Sequence, residues 1–190
     1  MTVIDPGSYL ELEGGRPAVR FERVYDHPID RVWALVSEPA ELAYWFPFPE
    51  VAMEPVVGGE ITFSGDSNMP EVVVTGEVTA FEPPHLLAFT WGGDALRFEL
   101  TRLDAARTRL TLTDFLDSAD AAARNAAGWD LCLAALDARA AGGSAAPPAA
   151  GAHDDAPADP PAGRPSTWRR RYDAYVAAGL PKGAPIPGGA

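Results

Sequence analysis

Asp114 follows Leu110 and Leu112 at a spacing of two, so an extended backbone projects all three to one side and places a carboxyl group among apolar neighbours. Arg23 stands in the same relation to Val19 and Phe21. Ionisable groups on an apolar face are costly to hold away from water, and they recur where a protein anchors a ligand's polar atom or moves a proton. Tyr44 and His85 are the remaining donors near apolar stretches, and with Asp114 they form the set available to an acid–base enzyme.

Other chemistries find no support in the spacing. His27, His85 and His153 have no Ser, Cys or carboxylate at a separation that suggests a triad or a metal site, so neither catalytic nor metal-ligating residues are expected. Cys132 is the single cysteine and cannot close an intramolecular disulfide; it lies in an apolar helical stripe with Trp129, as a packed thiol does. The one lysine, Lys182, is remote from any phosphate-cradling glycine loop, and no cofactor is expected.

Positioning these residues falls to a series of short elements. Val19, Phe21 and Tyr25 alternate as a strand, and Pro28 opens a helix with Ile29, Val32, Trp33 and Val36 on its apolar face. A shorter helix is expected at about 39–44, followed by the proline-bounded aromatic loop Trp45-Phe46-Pro47-Phe48-Pro49. Six further strands are expected at about 51–53, 60–64, 72–81, 86–91, 95–103 and 108–116. The breaks between them are short, which implies an antiparallel meander. A long helix at about 119–140 carries Ala122, Ala126, Trp129, Cys132, Leu133, Leu136 and Ala140 at spacings of three and four, with Asp117 or Ser118 as its cap and Gly142-Gly143 as its stop. One sheet face must bury itself against that helix, giving an α+β domain.

On this reading residues 1–15 are a loose leader, 16–141 the domain, 142–165 an Ala/Pro/Gly-rich linker, 166–180 a short amphipathic helix, and 181–190 a disordered terminus. The short helix shows Trp168, Tyr172, Tyr175 and Val176 on one side, a face expected to dock on its own domain or on a partner.

The chain carries 15 basic and 27 acidic side chains, a formal net charge of −12. Residues 1–141 hold 10 basic and 23 acidic, net −13, so a general nucleic-acid or anionic-membrane role would work against the domain's own field. No stretch approaches about 18 uninterrupted apolar residues, and the first residues lack a basic start followed by an apolar run; a cytoplasmic location without a membrane span is expected.

Pro28, Val32-Trp33, Pro39 and Trp45-Phe46, then Gly58-Gly59, Gly76, Pro83-Pro84-His85-Leu86, Phe89-Thr90-Trp91, Thr108-Arg109-Leu110-Thr111-Leu112 and Gly128-Trp129 follow one another in an order that resembles the START-like (SRPBCC) superfamily. Within it, the chain is most similar to the bacterial branch named after the activator of the heat-shock-protein-90 ATPase. The resemblance spans about residues 16–141 and implies a helix-grip fold: a curved antiparallel sheet of six to seven strands around a long carboxy-terminal helix, with two short helices after the first strand. It also implies a cavity between sheet and helix for a hydrophobic small molecule, and brings over no catalytic signature.

Combined with strand alternation, the resemblance puts Phe63, Val72, Val74, Phe89, Trp91, Phe98 and Leu112 of the sheet opposite Trp129, Cys132 and Leu133 of the helix, with Trp45, Phe46 and Phe48 as lid or rim. These side chains either line a cavity or interdigitate as a solid core. Arg23, Asp114 and Tyr44 are the candidate polar anchors, and adjacency of the first and last strands in that fold would allow an Arg23–Asp114 pair. The expected function is binding of a lipid-, polyketide- or aromatic-metabolite-like molecule. Alternatives are a cyclase- or hydrolase-like enzyme in the same cavity, or a co-chaperone-like module acting on a protein partner or a second copy.

Overall fold

The first expected strand, residues 17–25, becomes the hub of the sheet, pairing with three others. The computed structural model describes residues 3–4 (backbone only), 6–66, 70–143 and 166–186. Its strands are β1 (Val3–Ile4), β2 (Ser8–Glu11), β3 (Pro17–Tyr25), β4 (Glu50–Met53), β5 (Glu60–Ser64), β6 (Val74–Glu82), β7 (Leu86–Trp91), β8 (Asp94–Arg102) and β9 (Thr108–Phe115). Helices α1 (Ile29–Ser37) and α2 (Pro39–Leu42) fill the crossover from β3 to β4, while α3 (Ala122–Ala140) and α4 (Thr167–Ala177) follow the last strand.

All pairings are antiparallel, in the order β1-β3-β9-β8-β7-β6-β5-β4, with β2 also on β3. The meander from β4 to β9 is as expected, and β3 closes it beside β9. The nine strands exceed the expected six to seven because the leader is not loose. Ser8–Glu11 folds back on the start of β3, through a turn in which Leu12 N–H donates to Arg16 O and Gly15 N–H to Leu12 O. Gly14 and Gly15 stand at φ +84° and +77° in that turn, so the glycines read as breaks in the pattern are what make the hairpin.

Curvature has a local cause. The Cβ of any residue replacing Gly76 in β6 would lie 2.0 Å from the backbone oxygen of Thr90 in β7, so the two strands cross at a distance only glycine allows. The register slips between Val78 and Ala80 immediately afterwards. Strand β6 begins at Val74, two residues later than expected, and Val72 and Val73 are exposed.

Helix α3 lies between the concave sheet face and α4. Its buried residues are mostly alanine, with Trp129, Cys132, Leu133 and Leu136, because small side chains let two neighbours approach one helix. A turn of 3₁₀ helix at Ala119–Ala121 occupies what the sequence suggests as the helix start, and neither Asp117 nor Ser118 caps it by its side chain. Capping comes from farther off: Ala123 N–H donates to Pro181 O at 3.0 Å, and Ala184 N–H donates to Asp120 O at 3.2 Å. Residues 181–186 therefore pack on the start of α3, contrary to the disordered terminus expected for them. Of the linker expected at 142–165, Gly142 and Gly143 close the end of α3 with bonds to Arg139 O and Ala138 O, and 144–165 lie outside the described residues.

Helix α4 docks on its own domain, the first of the two expectations for it. The Ser166 hydroxyl accepts from Arg169 N–H at its start, and Trp168, Tyr172 and Tyr175 are buried.

Candidate functional site

The register sets the inward face of the sheet in rows. Val78, Phe89, Leu96, Asp114 and Val19 lie side by side across β6, β7, β8, β9 and β3. Phe81, Leu87, Phe98, Leu112 and Phe21 make the next row, and Leu100, Leu110 and Arg23 the one beyond. Asp114 and Arg23 thus share a face but stand two rows apart, about 13 Å along the strands.

Facing the first row is a continuous aromatic cluster. Phe46 stacks on Phe63 with centroids 4.9 Å apart, and meets Trp91 at 5.1 Å, Trp129 at 5.3 Å and Trp45 at 5.2 Å. Phe63 meets Trp91 at 4.6 Å, Phe89 meets Phe98 at 5.9 Å, and Phe48 covers Trp91 at 5.8 Å. Tilted and edge-on pairs of this kind add to the burial of their rings. Phe48, itself buried, packs on the half-buried Trp91. Trp45 and Phe46 are fully buried, with Trp45 Nε1–H donating to Leu35 O at 2.8 Å, so they plug the interior. Leu112 and Leu133 are buried beside them, Val74 is half-buried opposite Phe63, and Val72 is outside the cluster.

Asp114 is fully buried. Its Oδ2 accepts from Trp129 Nε1–H at 2.8 Å and from Asn125 Nδ2–H at 3.0 Å. Asn125 also donates to Asp94 Oδ2 at 2.8 Å, and Asp94 Oδ1 accepts from Asp117 N–H at 2.7 Å. A polar chain therefore runs from the half-buried Asp94 through Asn125 to the interior. Asp114 Oδ1 is buried and has no hydrogen-bond partner among the described residues. Burial, reinforced by the Asp94 charge and only partly offset by Asn125, Trp129 and Arg124, pushes the Asp114 carboxyl up to about 7.

Arg23 does not pair with Asp114. Its guanidinium lies 3.3 Å from Asp130 and 3.8 Å from Asp137 on α3, and Asp137 also accepts from the Tyr25 hydroxyl at 2.8 Å. Asp130 binds Arg171 of α4 with its other oxygen, so this network serves helix docking. Tyr44 is no anchor for the interior either. The Arg139 guanidinium sits 3.9 Å over its ring, while Glu41 holds Arg139 and Arg31.

The three donors available to an enzyme do not converge. Tyr44 packs on Arg139 near the end of α3, about 15 Å along the helix from Trp129, and the exposed His85 bonds Leu100 O at the far end of β7. Burial pushes the Cys132 thiol up to about 12, so it stays protonated and unreactive. Among the described residues no cluster of His, Cys, Asp or Glu could hold a metal ion, and no helix is long and apolar enough to cross a membrane.

Asn125, Asp94, Asp130 and Asp137 were not legible as site or network residues from strand parity. The helix carried a signal for three of them: Asn125 and Trp129 are spaced by four, and Asp130 and Asp137 by seven.

A curved antiparallel sheet closed around a long helix, with two short helices after the first long strand, defines a START-like helix-grip protein. The family model of the activator of Hsp90 ATPase homolog 1-like proteins matches residues 26–141, and the chain belongs to that family. Among solved structures it is similar to CalU16 from Micromonospora echinospora, at 20% identity and TM-score 0.65 over 93% of this chain and 96% of that one. It is also similar to a conserved protein of unknown function, EF2215, from Enterococcus faecalis, at 19% identity and TM-score 0.64 over 90% and 89% of the two chains. A protein encoded by gene BPP1335 from Bordetella parapertussis shares 26% identity at TM-score 0.61 over 91% and 90%. No curated protein matches the chain by sequence.

Proposed function

We propose that the protein binds a small hydrophobic molecule between the sheet and α3, against Phe46, Phe63, Phe89, Trp91, Phe98 and Trp129. One observation carries this reading. Phe46, at the centre of the ring cluster, belongs neither to the sheet nor to α3 but to the irregular segment 43–49, which also bears Phe48 over Trp91. Loop-borne side chains yield at lower cost than those on paired strands, so this wall is the one a guest displaces, exchanging ring–ring contacts for ring–guest contacts. The acidic surface around an apolar interior favours a neutral guest over an anionic one.

The test is a thermal-unfolding screen of the full chain against neutral apolar compounds, together with native mass spectrometry of the purified protein. A compound at a hundredfold excess over its dissociation constant stabilises by about 2.7 kcal/mol. Absence of both a stabilising compound and a copurified mass would sink the proposal.

A further inference from the structure

The Asp114 carboxyl narrows the guest, on the reading just given. A carboxyl group offers lone pairs on both oxygens. Here Oδ2 is taken by two donors, the indole N–H of Trp129 at 2.8 Å and the amide of Asn125 at 3.0 Å. The Asn125 orientation is fixed, because the same amide nitrogen also donates to Asp94 at 2.8 Å, and the flipped amide would set its oxygen against two carboxyl groups. Oδ2 is therefore an acceptor, and the proton of the neutral acid belongs on Oδ1.

Oδ1 is buried without a partner among the described residues, and Trp129, which binds the other oxygen, lies against Phe46 of the displaceable wall. A buried hydroxyl without an acceptor carries a desolvation cost, and none of the described residues supplies that acceptor. We infer that the guest carries an acceptor oxygen, a carbonyl or ether on an apolar frame, and that Asp114 Oδ1–H donates to it. The surroundings favour this over a cationic guest held by a carboxylate: the neighbours across the strands are Val19 and Leu96, burial opposes ionisation, and the Asp94 charge on β8 opposes it more than Arg124 on α3 assists it.

Three probes of one shape separate the cases: benzophenone, with a carbonyl; diphenylmethane, without it; and benzhydrylamine, with a cationic amine. Affinities are read from tryptophan fluorescence of the wild type and of Asp114→Asn, at about pH 6 and about pH 8.5, on either side of the Asp114 transition. Wild type is expected to hold benzophenone about tenfold tighter than diphenylmethane at the lower pH, with the preference fading at the higher one as the donor proton leaves. Asp114→Asn, whose amide nitrogen takes the place of Oδ1 and still donates, is expected to keep the preference at both.

Equal affinity for benzophenone and diphenylmethane in the wild type at the lower pH would overturn this inference and leave apolar binding standing. Tightest binding of benzhydrylamine there would overturn it in favour of an ionised anchor. Binding of none of the three would overturn both this inference and the reading beneath it. The wild-type pH profile alone decides the matter should the variant fold poorly.

Discussion

Trp129 donates its indole N–H to Asp114 across 2.8 Å, and the bond joins the middle of α3 to β9 inside the apolar interior. The indole ring at the same time meets Phe46 at 5.3 Å, so one side chain links the buried carboxyl to the aromatic wall. Trp129→Phe keeps an aromatic ring, smaller than the indole, and removes the donor. Loss of one partner from a buried acceptor is expected to cost about 1–3 kcal/mol in urea denaturation, and to move the Asp114 transition to still higher pH. An unchanged midpoint would mean that the bond contributes little.

Stability should fall as the pH is raised from about 4 to about 7 and level off above it. The folded state holds the Asp114 proton up to about pH 7, whereas the unfolded chain releases it near its ordinary value of 3.8, so between these limits the folded state binds more protons. The contribution is present at the acid end and is lost on raising the pH, on the order of 4 kcal/mol in all. Asp137, raised chiefly by burial, works in the same sense, whereas Glu41, lowered by Arg139 and Arg31 against its own burial, works in the opposite sense at lower pH. Urea titrations at several pH values should show the decline in the wild type and a flatter profile in Asp114→Asn.

Arg23→Met should be strongly destabilising. The substitution removes the buried cation between Asp130 and Asp137; Asp130 keeps Arg171 and Asp137 keeps the Tyr25 hydroxyl, but the charge that offsets their mutual repulsion is gone, a loss expected to be about 3 kcal/mol. A smaller loss in the double variant Arg23→Met, Asp137→Leu would show that uncompensated charge, and not lost packing, is the cause.

Trp168→Ala should separate α4 from α3. The indole is 2% exposed and stacks on Tyr172 at 5.2 Å, and its truncation is expected to cost about 3–5 kcal/mol. Amide exchange at Ala123 should accelerate as well, because its acceptor Pro181 is held by the same segment. A variant with wild-type exchange there would show that residues 181–186 dock independently of α4.

Strand alternation and turn residues made the β4-to-β9 meander, α1 and α3 legible, because their apolar period survives in a single chain. The pattern placed Asp114 on the inward face for the same reason. What stayed hidden was pairing between remote segments. β2 is four residues of unremarkable alternation and gains its place only from the open edge of β3. Parity fixes the face of a side chain but not its height along a strand, and height is what keeps Arg23 from Asp114 and gives each its own partners on α3. Tyr44 shows the same limit: its neighbour Arg139 lies 95 positions away in the chain, and nothing local announces it.

The bond from Ala123 to Pro181 has a temporal consequence. During synthesis the last strand and α3 are complete by residue 140, yet the first turn of that helix must wait for an acceptor about forty residues farther on. At about 5–20 residues per second that interval is about 2–8 s, long compared with the microseconds in which a helix forms. The nascent domain passes through it with the α4-facing side of α3 bare, and reaches its native state only once residues 166–186 have left the ribosome.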